Sequence, residues 1–172
     1  GTPPQGRADY AFIQHILASM NDEDGRCAIL LPHGILFRNE EKDVRTHLVK
    51  SDLLEAVIGL GPNLFYNAPM EACILFCNKN KSQEKKNKVI FINAVKEVTR
   101  KNAESYLEKN HIEKILQAFH FSEDIEQFKK SVSIDDIANN DFDLSIQKYV
   151  FIKDVKDEEI SFSGAISKWK ES

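Results

Sequence analysis

Two loops of this sequence carry side chains that could do chemistry. The first, PHGILFR, runs from Pro32 to Arg38 and follows the apolar run Cys27–Leu31. The second, GPNLFYNAP, begins at Gly61 and follows the apolar run Leu53–Leu60. In open α/β sheets, loops at the carboxyl ends of buried strands are favoured positions for ligands. Both loops are therefore favoured positions for functional residues.

Within the first loop, His33 is the candidate for acid–base chemistry, because imidazole changes charge near neutral pH. No Ser/His/Asp or Cys/His arrangement accompanies it, so a hydrogen bond to loop backbone is the favoured interpretation. Gly34 is expected to adopt a positive φ or to allow a close backbone approach. Arg38 is predicted either to meet a phosphate or to form an ion pair with Glu40 or Glu41.

The second loop opens on a Gly-Pro turn signal, and Asn63 follows it. Leu64, Phe65 and Tyr66 then place three large side chains in succession. Packing beneath the loop is one interpretation of this cluster. The other is a stacking platform for an extruded nucleobase, because an enzyme that modifies a base must unstack it and hold it against aromatic faces. Such stacking is worth about 1–3 kcal/mol per base.

A lysine-rich stretch follows the third apolar run. Five lysines fall within ten residues: Lys79, Lys81, Lys85, Lys86 and Lys88. Glu84 alone opposes them. The cluster predicts either a solvated loop between two strands or a loop that contacts phosphates. The net charge of -4 argues against autonomous DNA binding by the chain as a whole.

Composition narrows the class of protein. The 172 residues suffice for one domain with a core, and 42% hydrophobic with 29% charged residues is typical of soluble globular proteins. No apolar run approaches the ~20 residues of a membrane-spanning helix. Cys27, Cys73 and Cys77 lie in apolar runs without metal-ligand spacing. We therefore predict reduced thiols, no metal site and a cytoplasmic protein.

Four apolar runs are predicted to form the strands that carry these loops. They are Cys27–Leu31, Leu53–Leu60, Ala72–Cys77 and Lys88–Ala94. The first run has no in–out alternation, which predicts a strand covered on both faces. The first and second strands are joined through a helix and should be parallel. The irregular connection before the third strand favours an antiparallel return.

Apolar residues at helical spacing predict helices around this sheet. They cover Ala8–Met20, Glu41–Lys50 and His111–Phe119. A short helical turn is expected at Ile125–Phe128. Ser133 lies three residues before Asp136, which resembles a capping box and should start a helix that ends at Ala138.

The pieces that carry these features occur in an order that resembles a known family. GRADYAFIQHIL, GRCAILLPHGILFR, LLEAVIGLGPNLFYNAPMEACILFCNK and KVIFINA follow one another much as in the modification (M) subunits of type I restriction–modification systems. Those subunits are adenine-specific DNA methyltransferases. A weaker likeness continues through HIEKILQAF and SIDDIANNDFDLSIQKYV, so the resemblance covers about residues 6–150.

The resemblance implies an α/β fold, the second half of a Rossmann-like, S-adenosylmethionine-dependent methyltransferase sheet. This chain would supply strands five to seven, the last one antiparallel, followed by a small helical C-terminal extension. The expected divisions are residues 1–95 for the carboxyl-terminal half of the catalytic domain, 96–152 for the helical extension, and 153–172 for a charged linker and tail.

The resemblance also implies roles for individual residues. Phe65 is the better match to the aromatic that faces the flipped adenine, and Tyr66 is the second choice. His33, Gly34 and Asn63 would belong to the loops around that pocket. The five lysines would contact DNA phosphates.

Two parts of such an enzyme are absent from the sequence. No Gly-rich loop for binding S-adenosylmethionine is present, and neither is the catalytic Asn/Asp-Pro-Pro-aromatic tetrapeptide. The tetrapeptide Thr-Pro-Pro-Gln is only superficially similar, because Thr2 lacks a planar carbonyl acceptor and Gln5 cannot stack as an aromatic ring does. We therefore expect no catalytic or cofactor-binding residues here and no bound S-adenosylmethionine, although the intact protein would use it.

The family implies DNA, a specificity subunit and a restriction subunit as partners, with no membrane and a cytoplasmic location. The chain begins with Gly1 instead of Met and is expected to be a piece of a longer protein. Two alternatives remain open. One is a non-catalytic protein–protein interaction module that works through residues 95–172. The other is a fragment of an RNA or protein methyltransferase.

Overall fold

A five-stranded mixed sheet forms the centre of the computed structural model, which describes residues 2–66, 68–102 and 104–151. The strands are β1 (Arg26–Pro32), β2 (Leu54–Leu60), β3 (Ala72–Asn78), β4 (Lys88–Ala94), β5 (Thr99–Lys101), β6 (Glu104–Tyr106) and β7 (Lys129–Ser133). The α-helices are α1 (Asp9–Ser19), α2 (Lys42–Lys50), α3 (Lys109–His120) and α4 (Ile134–Asn139). The linker and tail expected at 153–172 lie outside the described residues.

The order of strands in the sheet is β1-β3-β2-β4-β7, and β5 pairs with β6 in a separate two-stranded ribbon. β3 is inserted between β1 and β2 and runs antiparallel to both. β1 and β2 are therefore parallel to each other, as their helical connection predicts. β4 extends the sheet parallel to β2, and β7 runs antiparallel to β4. The antiparallel return predicted for the third strand is confirmed.

Two hydrophobic cores lie on opposite faces of the sheet. Side chains alternate between the faces along each strand, so Val89 and Phe91 of β4 face one core while Ile90 and Ile92 face the other. Residues of α1, α2 and α4 cover the first core, and α3 covers the second with Ile115. Because helices lie over both of its faces, β2 is buried at every position.

β1 departs from this arrangement because it is an edge strand. Cys27, Ile29 and Leu31 pack against the first core, but Leu30 on the other face is 49% exposed. In the described part of the chain, the outer edge of β1 pairs with no strand. The prediction that both faces of this run are covered is therefore wrong for the described residues, because α1 packs on one face of β1 while α3 packs on β4.

The segment after Ala94 is not only helical, which corrects the expected helical extension. It contains α3 and α4, but also the β5–β6 ribbon and β7, which joins the main sheet. The helical turn predicted at Ile125–Phe128 is a tight turn that leads into β7. The sequence KKSVS does not show the pattern of a strand, because a lysine occupies a buried position in it. That residue is Lys129, and its ammonium group donates to carbonyls beyond the end of α3.

The helix start predicted at Ser133 is confirmed. The Ser133 hydroxyl accepts a hydrogen bond from the Asp136 amide at 3.0 Å and donates to the Asp136 carboxylate at 2.6 Å. The first of these bonds satisfies one of the amide groups at the start of α4 that have no partner within the helix. α4 ends at Asn139, next to the predicted end at Ala138.

Candidate nucleobase-binding site

The two chemistry-bearing loops leave the same edge of the sheet and contact each other. β1 ends at Pro32, β2 ends at Leu60, and the two strands are parallel. The His33 amide donates to the Glu71 carbonyl at 3.3 Å, and His33 Nδ1 lies 3.1 Å from Glu71 Oε2. Glu71 is the last residue before β3, so His33 ties the first loop to the end of the second. We call this side of the sheet the carboxyl edge.

His33 is enclosed at this junction. Its side chain is 20% exposed, and its ring packs edge-on against Phe37 with ring centroids 6.2 Å apart. Its Nε2 atom is buried and has no hydrogen-bond partner among the described residues. The sequence favoured a hydrogen bond from His33 to loop backbone. The backbone amide of His33 makes one, while the imidazole pairs with the Glu71 carboxylate.

Two side chains from α1 and α2 fix the conformation of the first loop, which forms a turn of 3-10 helix over His33–Leu36. The Tyr10 hydroxyl donates to the Ile35 carbonyl at 3.1 Å. The buried Arg45 donates from Nη1 to the Arg38 carbonyl at 2.9 Å and to the Ile35 carbonyl at 3.4 Å. Burial raises the pKa of Tyr10 far above its usual value, so its hydroxyl stays a donor at neutral pH.

Gly34 has no positive φ, so that predicted role is wrong. A Cβ at Gly34 would lie 2.7 Å from the Arg38 guanidinium, which packs against this backbone. A larger residue at this position would require the Arg38 side chain to shift. Arg38 itself is engaged in ion pairs, with Asp9 Oδ2 at 3.3 Å and Glu41 Oε2 at 3.5 Å. The alternative of an ion pair with Glu41 is confirmed, and Asp9 adds a second partner.

The second loop separates its three large side chains. Asn63 takes a left-handed conformation with φ of 59°, which asparagine tolerates better than most residues. Leu64 then packs against the core on the α3 side, whereas Phe65 is 38% and Tyr66 is 93% exposed. A hydrogen bond of 3.0 Å from the Ala68 amide to the Phe65 carbonyl closes the tip of the loop. Packing therefore accounts for Leu64 but leaves both aromatic rings accessible.

An open cavity of about 560 Å³ lies beside these rings. One wall comes from the second loop, with Asn63, Phe65 and Tyr66 among its residues. The other residues include Glu104, Ser105 and Tyr106, which are the whole of β6. The Ser105 amide donates to the Asn63 carbonyl at 3.0 Å and so joins the ribbon to the loop. The volume falls within the roughly 300–1,000 Å³ typical of small-molecule sites.

The contribution of β6 was missed by sequence reasoning. β5 reads TRK and β6 reads ESY, and strands of three residues are too short to show a periodic pattern. Asn102, which has a positive φ of 51°, lies in the turn between them. Asparagine is favoured in two-residue hairpin turns, and it is the one local signal that could have indicated the ribbon.

The lysine-rich loop lies at the opposite edge of the sheet. β3 is antiparallel to β2, so the loop that follows β3 leads back to the amino-terminal ends of β1 and β2. The Lys79 amide donates to the Gly25 carbonyl, just before β1. A strand the length of β2 spans roughly 20 Å. The structure therefore does not bring the five lysines together with Phe65.

The five lysines also differ in what they bind. Lys81 has a side chain only 2% exposed and donates to Asp52 Oδ1 at 2.5 Å and to two backbone carbonyls. Lys85 pairs with the buried Glu55 at 2.7 Å. Lys79 donates to the Met20 carbonyl and to Asp22, and its hydrogen bond lowers the pKa of Asp22. The remaining two lysines are exposed: Lys86 and Lys88.

Two glycines of the carboxyl edge lie close to other groups of the protein. A Cβ at Gly34 would lie 2.7 Å from the Arg38 guanidinium, and a Cβ at Gly61 would lie 2.6 Å from the Val95 carbonyl oxygen. Among residues 2–151, as far as they are described, no group of three or more His, Cys, Asp or Glu could hold a metal ion. None of the helices described is long and apolar enough to cross a membrane.

Comparison with known proteins relates this sheet to a family of enzymes. The model of the N-6 DNA Methylase family matches residues 1–158. The chain is 37% identical to the type I restriction enzyme MjaVII methylase subunit of Methanocaldococcus jannaschii, over 99% of this chain and 30% of that protein. It is 35% identical to the type I restriction enzyme MpnII methylase subunit of Mycoplasma pneumoniae, over 90% of this chain and 28% of that protein.

Solved structures show the same relationship. The methyltransferase subunit of a type I restriction–modification system from Streptococcus thermophilus superposes with a TM-score of 0.80 at 37% identity, over 86% of this chain and 31% of that one. The M protein of the type I restriction enzyme EcoKI shares the fold, with a TM-score of 0.70 at 16% identity. The chain thus spans less than a third of the length of the first-named relatives. It belongs to the N-6 DNA methylase family, and its relatives are the methylase subunits of type I restriction enzymes.

Proposed function

We propose that this chain is the part of a type I methylase subunit that holds the target adenine while its exocyclic nitrogen is methylated from S-adenosylmethionine. The observation that carries this proposal is the cavity at the carboxyl edge, bordered by the accessible rings of Phe65 and Tyr66. Aromatic faces beside an open cavity are what an unstacked base requires. The family match supplies the reaction, and the cavity supplies a place for its substrate.

The topology supports a position in the second half of the methyltransferase sheet. In our proposal β1, β2 and β3 are strands five, six and seven, since β3 is antiparallel and inserted between the other two. The outer edge of β1, with Leu30 exposed beside it, is where the donor-binding half would pair. An apolar, unpaired edge strand is otherwise a site of aggregation that natural proteins avoid.

Each proposed role belongs to a residue whose surroundings suit it. Phe65 stacks on the extruded adenine, and the turn at Asn63 with its bond to Ser105 fixes the loop that carries the ring. His33 and Gly34 hold the first loop against the second and act as positioning residues. The residues that bind the methyl donor and the catalytic tetrapeptide would come from the other half of the sheet.

The lysine-rich loop keeps a smaller role in DNA binding than its composition indicates. Lys86 and Lys88 are exposed and remain proposed phosphate contacts, at a distance from the target base. Lys79, Lys81 and Lys85 are engaged with acceptors of the protein itself, so we propose that they stabilise the loop.

The proposed partners are DNA, a specificity subunit and a restriction subunit, in the cytoplasm. Residues 96–152 supply a strand to the same sheet as residues 1–95. The proposed boundary at residue 95 therefore separates two functions within one folding unit. Within that segment, Ile112 and Leu116 on α3 are 44% and 51% exposed. We propose that this face of α3 contacts another subunit of the complex.

The test uses the intact methylase subunit assembled with its specificity subunit. Phe65→Ala should reduce transfer of labelled methyl to adenine N6 by roughly 5- to 150-fold, the factor expected for loss of one aromatic stack. It should also change the fluorescence of 2-aminopurine placed at the target position. Phe151→Ala is the matched control, because Phe151 is 76% exposed and lies outside the cavity.

Unchanged methylation together with unchanged 2-aminopurine fluorescence in Phe65→Ala would contradict the proposal. The same assay separates the alternatives. Label in RNA or protein would indicate a methyltransferase with another acceptor. Absence of any methyl transfer, with retained binding of the specificity subunit, would favour a non-catalytic interaction module.

A further inference from the structure

We infer that the β5–β6 ribbon is the second wall of the base-holding cavity and that Tyr106 is a further stacking residue of this site. The inference rests on the proposed function, because it concerns the same cavity. It assigns a substrate contact to a segment that lies beyond the strands and loops that carry the family resemblance most clearly.

The ribbon is attached to the loop that carries Phe65. The Ser105 amide donates to the Asn63 carbonyl at 3.0 Å and so joins β6 to the loop. Within the ribbon, Tyr106 pairs with Thr99 and Glu104 pairs with Lys101. Side chains alternate along a strand, so Glu104 and Tyr106 lie on one face of the ribbon and Ser105 on the other. All three residues of β6 nevertheless border the cavity.

Tyr106 presents its ring at the cavity in a fixed orientation. Its side chain is 46% exposed, and its hydroxyl donates to Glu104 Oε2 at 2.6 Å. That hydrogen bond also raises the pKa of Tyr106, so the hydroxyl stays protonated near neutral pH. With Phe65 and Tyr66, Tyr106 completes a set of three accessible aromatic rings around one cavity. Isolated exposed apolar residues are ordinary, but a contiguous group of them marks a binding site.

Ser105 contributes its backbone to this site. Its side chain lies on the face of β6 opposite to Tyr106 and is buried, with the residue 5% exposed. The three aromatic rings therefore carry the inference, because a nucleobase has a π-face that such rings can hold.

The experiment compares variants of the intact methylase subunit assembled with its specificity subunit. Tyr106→Ala should lower kcat/KM for methylation by roughly 5- to 150-fold and alter the emission of 2-aminopurine at the target position. Tyr106→Phe should keep both close to wild type, because it retains the ring. Tyr106→Leu keeps much of the volume without the aromatic face and should resemble the alanine variant. Phe151→Ala again serves as control.

Thermal unfolding separates this role from a structural one, because Tyr106→Phe and Tyr106→Leu should unfold at the wild-type temperature. If Tyr106→Ala and Tyr106→Leu behave as wild type while Phe65→Ala is impaired, the inference fails and the proposed function stands. If neither the Tyr106 variants nor Phe65→Ala are impaired, the inference and the proposed function both fail. If Tyr106→Phe is as impaired as Tyr106→Ala, the hydroxyl and not the ring is required, and stacking by Tyr106 is overturned.

Discussion

Single side chains decide what the carboxyl edge presents to a ligand. Leu64 turns into the core on the α3 side, while its neighbours Phe65 and Tyr66 stay accessible beside the cavity. Arg38 packs against the backbone of Gly34 in the first loop. The accessible rings of the second loop are the reason why the proposed base-holding role is given to that loop.

The cysteines allow a test of the local structure of β1 and β3. Cys27 and Cys77 are directly opposite each other in the antiparallel pair. A hydrogen bond from Cys77 lowers the pKa of Cys27, while the same bond and burial raise the pKa of Cys77. Burial raises the pKa of Cys73 to about 12. The thiolate, which is the reactive form, therefore accumulates at lower pH on Cys27 than on an ordinary cysteine.

We expect iodoacetamide to modify Cys27 first in the folded protein, with a rate that levels off at lower pH than for a free thiol. Cys73 and Cys77 should react only after unfolding. Cys77→Ala removes the hydrogen bond and should shift the rate profile of Cys27 to higher pH. Mass spectrometry of peptides after timed alkylation gives the order. Modification of Cys73 before Cys27 would contradict the described packing.

Sequence reasoning singled out Phe65 and Tyr66, whose rings are accessible, but it did not indicate that Lys81 is buried. A loop after a buried strand can be recognised locally, since the apolar run and the Gly-Pro signal are adjacent in sequence. The burial of Lys81 depends on Asp52, which is 29 residues away, and on two carbonyls of other strands. Tyr106 was missed because β6 is joined to the second loop by the bond from Ser105 to Asn63, two residues that are also remote in sequence.

At the scale of elements, the lysine-rich loop is a structural connection between β3 and β4. Lys81→Ala should lower the free energy of unfolding by about 2 kcal/mol, because the partly exposed Asp52 carboxylate and two backbone carbonyls lose their donor. Lys86→Ala, in the same loop but exposed, should stay within about 0.5 kcal/mol of wild type. Urea denaturation measures both. Equal effects of the two substitutions would contradict the assigned roles.

The strands show what the pattern of apolar residues can and cannot predict. β2, β3 and β4 are continuous apolar runs, and each forms close to its predicted bounds. β7 carries Lys129 and serines, and it is a strand because Val132 and the stem of Lys129 fill the space beside β4. Such a strand is specified by its neighbours across the sheet, and its own periodicity is too weak to reveal it.

At the scale of the whole molecule, the described sheet has an edge strand at each end, β7 beyond β4 and β1 beyond β3. The edge at β1 is apolar, with Leu30 exposed. The relatives named above are more than three times as long as the part that this chain matches. The proposed position of this chain in one half of a larger sheet would cover the exposed edge at β1.

We expect the 172-residue chain alone to bind no S-adenosylmethionine. The glycines at the carboxyl edge are covered by Arg38 and Val95, and the described residues provide no other close backbone approach for the donor there. Isothermal titration calorimetry with S-adenosylmethionine, carried out on the chain alone and on the intact subunit, measures the difference in affinity. Micromolar affinity in the chain alone would show that the donor site is not confined to the other half.

Photochemical cross-linking tests the central claim most directly, because it reports which residue touches the target base. The target adenine is replaced by 5-iodouracil in a duplex bound to the intact methylase subunit with its specificity subunit. Irradiation and peptide mass spectrometry should then place the cross-link on Phe65, or on Tyr66 or Tyr106 of the same cavity. A cross-link confined to the lysine-rich loop at residues 79–88, on the opposite edge of the sheet, would contradict the account.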